Sequence, residues 1–321
     1  MLDYSCKPLV SIIIVTWNCR DYVLRCLETV YKATVVPFEV IVRDNGSEDG
    51  TAQSIRELYP QVNVLGDSRN IGFAAANNEA IKCAAGEYLL LLNPDAEIPP
   101  HTFTEFVNVA KICPKQAVIV PTLLNTDGTV QRSLHSFPTA AGVLNKGIAA
   151  LKRVLGLRVT QPGIDWVKGA CLFIPAQLYQ MVGPLDENLF MYGEDLDYCW
   201  RVHQAGFDII LAPKIQITHH GNVSGAQKWG SRRLLQTNQT LIYFWVKHFG
   251  PFYAILLVLF RLTYLSLYGF AEGIARLLSA KGGVQAALKS ERLLSTVALI
   301  QACFQFNSWR FYLSGWRRGK S

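Results

Sequence analysis

The 321 residues contain no G-x-G-x-x-G fingerprint and no G-x-x-x-x-G-K-[S/T] loop, although glycine occupies 24 positions. Both motifs close backbone N–H groups on phosphate through glycines at fixed spacing, so neither way of holding a nucleotide is available to this chain. No C-x-x-C pair occurs among Cys6, Cys19, Cys26, Cys83, Cys113, Cys171, Cys199 and Cys303. These read as reduced thiols of a cytosolic protein, not as a disulfide framework or a zinc site. Internal repeats and low-complexity tracts are also missing. Met1 to Pro8 is short and polar, unlike a signal peptide, so the active part is expected to stay in the cytoplasm. Acid is scarce at the rear: beyond Gly206 only Asp208, Glu272 and Glu291 are acidic, against basic residues from Lys214 to Lys320. The net charge of +7 is therefore unevenly placed. A basic rear third beside hydrophobic segments suits an anionic membrane surface and gives no reason to expect nucleic acid as a partner.

What is present is ample core material, with 50% of residues hydrophobic. Leu9 to Thr16 is a continuous apolar, β-branched run, the pattern of a parallel strand covered on both faces. A helix follows from about Asp21, with Tyr22, Val23, Cys26, Leu27 and Val30 on one face. Phe38 to Val42 reads as a second strand, and the turn-rich Arg43 to Thr51 opens a helix running to Tyr59. Val62 to Leu65, an Ala-rich helix from Phe73 through Ala84, and Glu87 to Leu92 repeat the unit. A helix near His101 to Lys111 and a strand at Ala117 to Leu124 complete the first half. The alternation predicts an α/β fold with a doubly wound, mostly parallel sheet and helices on both faces. Asn18, Asp44 and Asp95 fall at strand ends, where open α/β sheets place their ligands.

Past a variable stretch from Asn125 to Pro162, expected to hold one helix near Ala140 to Leu155, Val167 to Ile174 reads as a strand. Gly169 and Ala170 within it leave room for a group to approach the backbone. The chain is organised around the stretch from Phe190 to Arg201, in which Glu194, Asp195 and Asp197 crowd the first turn of a helix after Gly193. Leu196, Cys199 and Trp200 sit behind them at core-facing spacing. Acids are favoured at a helix start by its partial positive charge, but the polar strand ends elsewhere would complete a site around these. Asp208 to Leu211 and Ile215 to Thr218 read as strands, and His219 and His220 lead into a Gly-Asn-x-Ser loop that could reach phosphate. With no glycine loop for phosphate, a carboxylate such as Asp95 would have to bridge Mg²⁺ or Mn²⁺ to a diphosphate, since these hard cations prefer oxygen ligands.

The ordered set Val-Ser-Ile-Ile-Ile-Val-Thr-Trp-Asn, Val-Arg-Asp-Asn-Gly-Ser-Glu-Asp-Gly-Thr, Arg-Asn-Ile-Gly-Phe-Ala, Leu-Asn-Pro-Asp-Ala, Gly-Ala-Cys-Leu-Phe-Ile, Tyr-Gly-Glu-Asp-Leu-Asp-Tyr-Cys-Trp-Arg and His-His-Gly-Asn-Val-Ser resembles the family-2 inverting glycosyltransferases with a GT-A fold. Within them it is most similar to the bacterial rhamnosyltransferase branch, over roughly Leu9 to Ser224. The resemblance implies a dTDP- or UDP-linked sugar donor and a glycan or polyprenyl-diphosphate-linked acceptor. It implies that Thr16 and Asp44 hold the nucleobase, with Asn18, Asn70, Asn93 and Gly169 beside the nucleotide-sugar. Asp95 becomes the metal-binding acid of a DxD-type motif whose first Asp is here Asn93, a departure that implies either a metal held less tightly or one that leans on His219. Asp195 becomes the general base, Glu194 its neighbour in the catalytic pair, and Asp197, Tyr192 and Trp200 part of the acceptor pocket.

The organisation expected is a catalytic domain over 1–239, with a nucleotide-binding half to 124, and a helical, basic, membrane-associating region over 240–321. Pro251 to Phe270 is about long enough to span a bilayer, but Arg261 at its centre would cost about 2.5–3.5 kcal/mol. A helix lying in or re-entering the interface avoids that cost and is the reading preferred over a spanning helix or an ordinary buried helix pair, with membrane contact expected at the cytoplasmic face. Two other functions compete. A sugar nucleotidyltransferase would open with a Gly-rich, Arg/Lys-bearing loop after the first strand, which Trp17 to Arg20 is not. A catalytically inactive, membrane-associated binding protein would not need Asp44, Asp95 and Asp195 together.

Overall fold

The computed structural model describes residues 8–33, 36–140, 142, 164–221, 233–263 and 291–304. The chain divides into two compact units, one of residues 1–137 and 159–228, the other of 138–158 and 229–321.

The first unit is built on an eight-stranded sheet in the order β3-β2-β1-β4-β9-β6-β10-β5. Its strands are β1 (Val10–Thr16), β2 (Phe38–Asp44), β3 (Asn63–Leu65), β4 (Tyr88–Leu92), β5 (Ala96–Glu97), β6 (Ala117–Leu124), β9 (Cys171–Pro175) and β10 (Asp208–His219). The first four pair in parallel; β9 runs antiparallel between β4 and β6, and β10 is parallel to β6. A two-stranded ribbon joins β7 (Leu134–His135) to β8 (Trp166–Val167). Helices α1 (Arg20–Ala33), α2 (Thr51–Leu58), α3 (Phe73–Ile81), α4 (Thr102–Ile112), α5 (Ala176–Val182) and α6 (Glu194–Gln204) connect the strands.

The unbroken apolar runs of β1, β2 and β4 follow from burial on both faces. Successive side chains in a strand point to opposite faces, so Ile12, Ile14, Val40, Val42, Leu90 and Leu92 pack under α1, α2 and α4. Ile13, Ile41, Leu89 and Leu91 pack on the other face under α3, α5 and α6. Tyr198, Cys199 and Val202 seat α6 in this second layer, so the acid-bearing first turn stands on a buried mount.

Two expectations are corrected. The run from Val167 to Ile174 is not one strand: β8 ends at Val167, residues 168–170 turn, and β9 begins at Cys171. Gly169 turns its N–H to a side chain on α6 instead of to a neighbouring strand. Conversely, the runs at Asp208 and Ile215 are one strand, β10, whose register slips between Ala212 and Gln216. The helix expected near Ala140 to Leu155 and the loop from Asn222 to Ser224 lie outside the described residues.

In the second unit, α7 (Arg233–Phe249) packs against α8 (Glu291–Phe304), and residues 251–263 are helical. Among the described residues no helix is long and apolar enough to cross a membrane.

The central strand also carries a buried polar pin. Ser11 Oγ accepts from Gly86 N at 2.8 Å and donates to Glu39 Oε1 at 2.6 Å, while Ala85 N donates to the same carboxylate at 2.7 Å. These bonds fasten the turn before β4 to β1 and β2. Ser11→Ala removes the acceptor of a buried N–H and is expected to cost about 1–3 kcal/mol, read as a lower urea midpoint at unchanged m. A midpoint equal to the parent's would mean that Gly86 N–H finds another acceptor.

Candidate active site

The ends of β1 and β2 form one wall. Thr16 and Asp44 are register partners and both are buried. Asp44 accepts from Ser47 at both oxygens, Oγ–H to Oδ1 at 2.6 Å and N–H to Oδ2 at 3.0 Å. Ser47 Oγ accepts in turn from Asn18 N at 2.9 Å, and Asn18 Oδ1 from Glu48 N at 2.7 Å. Asn18 takes a left-handed backbone, φ 46°, a conformation asparagine tolerates better than most residues. The Asp-x-x-Ser spacing is a turn signal, yet sequence reasoning gave Ser47 no role in the site. Buried Arg43 donates to Glu79 Oε2 at 2.8 Å and to the Asp44 carbonyl, fixing the end of β2 from behind.

The second wall starts at the tip of α3. Asn70 Oδ1 accepts from Gly72 N at 3.1 Å, and Phe73 N donates to Phe190 O at 2.7 Å. A Cβ on Gly72 would come within 2.8 Å of that same carbonyl, so glycine is what lets the loop before α6 close down here. That loop then reverses through two left-handed residues, Tyr192 at φ 67° and Gly193 at φ 93°, directly into α6.

At the start of α6, Asp195 is gripped by backbone. Its Oδ2 accepts from Gly169 N at 3.0 Å and its Oδ1 from Leu196 N at 2.8 Å. Burial raises its pKa while those N–H groups oppose the shift. Glu194 is buried as well, and its Oε2 has no hydrogen-bond partner among the described residues. Burial, and then the charge of Asp195, push Glu194 up to about 8. Glu194 is thereby the member of the pair that burial and the neighbouring carboxyl favour in its neutral form, while the backbone N–H groups around Asp195 favour its charged form.

The third element is at the end of β4. Asp95 Oδ1 and His219 Nε2 stand 3.3 Å apart, both buried, with Asn93 Nδ2 3.2 Å from the same ring nitrogen. His219 Nδ1 lies 2.8 Å from Gln131 Oε1. An amide oxygen only accepts, so Nδ1 carries a hydrogen and the ring is turned with Nε2 towards Asp95 and Asn93. An imidazole nitrogen and a carboxylate oxygen at this distance form an ion pair when the ring is doubly protonated and can share a cation when it is neutral. Among the described residues no group of three or more His, Cys, Asp or Glu side chains could hold a metal. Two protein ligands would suit a small divalent ion that completes its shell with diphosphate oxygens and water. Gln131 was missed from the sequence because it lies in an irregular stretch with no periodicity. His220, 2.7 Å from Glu97 Oε1, supports the neighbouring strand end.

Asp197 and Trp200 have other engagements. Asp197 Oδ2 accepts from Arg201 Nε at 2.9 Å, and Arg201 donates on to the carbonyls of Val182 and Pro184 beyond α5. Trp200 packs edge-on to Phe137. The structure thus brings Asp195, Glu194 and Gly169 together, and Asp95, His219 and Asn93 together. It links the two sets through Asn93 N, which donates to Ala170 O at 2.9 Å.

With this geometry in hand, three comparisons bear on the chain. The model of "Glycosyl transferase family 2" matches residues 11–167. An N-acetylglucosaminyl-diphospho-decaprenol L-rhamnosyltransferase of Mycobacterium tuberculosis (strain H37Rv) is 27% identical over 269 residues, which cover 75% of this chain and 86% of the relative. The low-salt glycan biosynthesis hexosyltransferase Agl10 of Haloferax volcanii is 25% identical over 68% of this chain and 72% of its own. Among solved structures, the mannosyltransferase PcManGT from Pyrobaculum calidifontis, in complex with GDP-Man and Mn²⁺, aligns with a TM-score of 0.56 at 17% identity. That alignment covers 95% of this chain and 89% of the other. It shows a shared fold.

Glu194 makes folding stability depend on pH. Its carboxyl titrates near 4.5 when unfolded and near 8 when folded, so the folded state holds the extra proton between those values. The stability this supplies is fully present below about pH 4.5 and is lost as pH rises through 8. Glu194→Gln should flatten the fall in urea midpoint between pH 5 and pH 8. A variant with the parent's slope would place the titrating proton elsewhere.

Proposed function

We propose that the chain is a family-2 glycosyltransferase, the family whose model matches residues 11–167, and that it moves a hexosyl group, rhamnose in the reading favoured here, from a dTDP- or UDP-linked donor to a hydroxyl of a polyprenyl-diphosphate-linked glycan, with inversion. The sugar and acceptor class follow from the Mycobacterium relative, which is named for transferring L-rhamnose to a lipid-diphosphate-linked N-acetylglucosamine. The observation that carries the mechanism is the grip on Asp195. A carboxylate held by Gly169 N and Leu196 N on a buried helix start is a positioned base.

In this mechanism Asp195 takes the proton of the acceptor hydroxyl as its oxygen bonds to the anomeric carbon. The bond from that carbon to the diphosphate oxygen breaks on the opposite face, leaving a nucleoside diphosphate and an inverted glycoside. Neutral Glu194 beside it spares the site a second negative charge. Asp44, set by Ser47, accepts from a ring N–H of the nucleobase, with Thr16, Asn18 and Asn70 along the nucleotide and Tyr192 at the acceptor side. Asp95 and His219 would hold Mn²⁺ or Mg²⁺, with Asn93 beside them. Such an ion, when bound, supplies Lewis-acid stabilisation of the departing diphosphate. A single base and a metal-neutralised leaving group suffice for inverting transfer, unlike the two working carboxylates of a glycoside hydrolase. In this reading the acceptor is lipid-linked, and the reaction runs at a membrane surface, on its cytoplasmic face.

Two substitutions separate binding from chemistry. Asp195→Asn should bind dTDP- or UDP-sugar like the parent in Mn²⁺, measured by calorimetry, while kcat falls by about 10²–10⁴. Asp95→Ala should lose the difference in donor affinity between Mn²⁺ and chelator. More than about a tenth of parental transfer in Asp195→Asn would move the base to Glu194, and unchanged metal-dependent binding in Asp95→Ala would remove Asp95 from the metal site.

A further inference from the structure

Large exposed apolar side chains are distributed differently in the two units. In the first unit Leu58, Ile112, Val130 and Met181 are exposed singly, on separate elements, as is ordinary for a soluble surface. In the second, Val297 and Ile300 are exposed on α8, and Phe252, Ile255, Leu256, Leu259 and Phe260, between 45% and 74% exposed, lie together on the helical segment 251–263. Their spacing of 0, 3, 4, 7 and 8 puts them on one face, a stripe about 12 Å long at 1.5 Å per residue. Ala254 and Leu257 on the same segment are buried, so the stripe is the outward face of a helix whose other side is already packed.

We propose that the stripe Phe252, Ile255, Leu256, Leu259 and Phe260 docks on the surface of an anionic lipid bilayer. This rests on the lipid-linked acceptor of the reading above and names the face that meets the carrier's membrane. Charge selects the occupant. No acidic residue occurs between Asp208 and Glu272, and the helices on either side of Gly250 carry Arg233, Lys247 and Arg261. An apolar face on an acid-free, basic helix pair matches an acyl boundary beneath anionic headgroups. The same charge works against the face of a second copy, which would bring like charges together on both sides. The segment enters the interface without crossing it, in keeping with the lack of any sufficiently long apolar helix among the described residues.

The test is co-sedimentation of the full chain with vesicles of phosphatidylglycerol and phosphatidylcholine, and with phosphatidylcholine alone. The parent should partition strongly to the first and weakly to the second. A triple variant, Leu256→Ser, Leu259→Ser and Phe260→Ser, should lose at least about tenfold in partition to anionic vesicles, while Ile112→Ser on the first unit behaves as the parent. Because the stripe is exposed, the triple variant should keep the parent's thermal midpoint and its transfer to a water-soluble acceptor analogue. Equal vesicle binding by parent and triple variant would overturn the proposal. So would a parent that ignores vesicles and is a dimer in solution that the triple substitution makes monomeric. A parent without transfer activity would count against the functional reading and leave the vesicle comparison intact.

Discussion

Asn93 N–H donates to the carbonyl of Ala170 at 2.9 Å, and the two halves of the site depend on that bond. It closes the end of the antiparallel pair in which Leu92 faces Cys171. On one side of it, two residues on, stands Asp95 with His219. On the other, one residue back, is Gly169, whose N–H holds Asp195. A switch of strand direction between β4 and β9 therefore puts the groups proposed to face the leaving diphosphate and the acceptor on opposite ends of one hydrogen-bonded bridge. Neither relies on a long flexible loop for its place, and catalytic geometry tolerates little looseness.

Around that bridge the protein concentrates its local irregularity. Tyr192 and Gly193 both take left-handed backbone conformations just before Glu194, and non-glycine residues there are uncommon enough to suggest a functional constraint. The reversal lets Phe190 O receive Phe73 N from the start of α3, tying the start of α6 to the wall that carries Asn70. The helix start then supports two adjacent buried carboxyls by keeping one of them protonated, which is the less costly solution in a region of low polarity.

Much of this was legible in the sequence, for definite physical reasons. Strands buried on both faces must be apolar throughout, so β1, β2, β4 and β6 stood out, and polar residues directly after them, Asp44 and Asp95, marked the ligand edge. The dense motif at Glu194 to Arg201 marked the buried acid-bearing start of α6. Legibility failed where side chains act through other side chains. Asp197 looks like a member of the acidic cluster, yet helical spacing hands it to Arg201 four residues on. Gln131, which orients His219, sits in an irregular segment where no period can betray it. The turn at 168–170 hid inside an apolar run, because a glycine that gives its N–H to a side chain looks the same in sequence as one within a strand. The two-residue strand β5, paired with the end of β10, is too short for any periodicity.

The central claim is that one positioned carboxylate drives attack on the face opposite the diphosphate. The anomeric configuration of the product tests it most directly. With a nucleoside-diphosphate-sugar donor of known configuration and a soluble acceptor analogue, nuclear magnetic resonance of the isolated glycoside should show the opposite configuration at the anomeric carbon. A product with the donor's configuration would contradict the account, since retention requires a second attack that a single base at Asp195 does not provide.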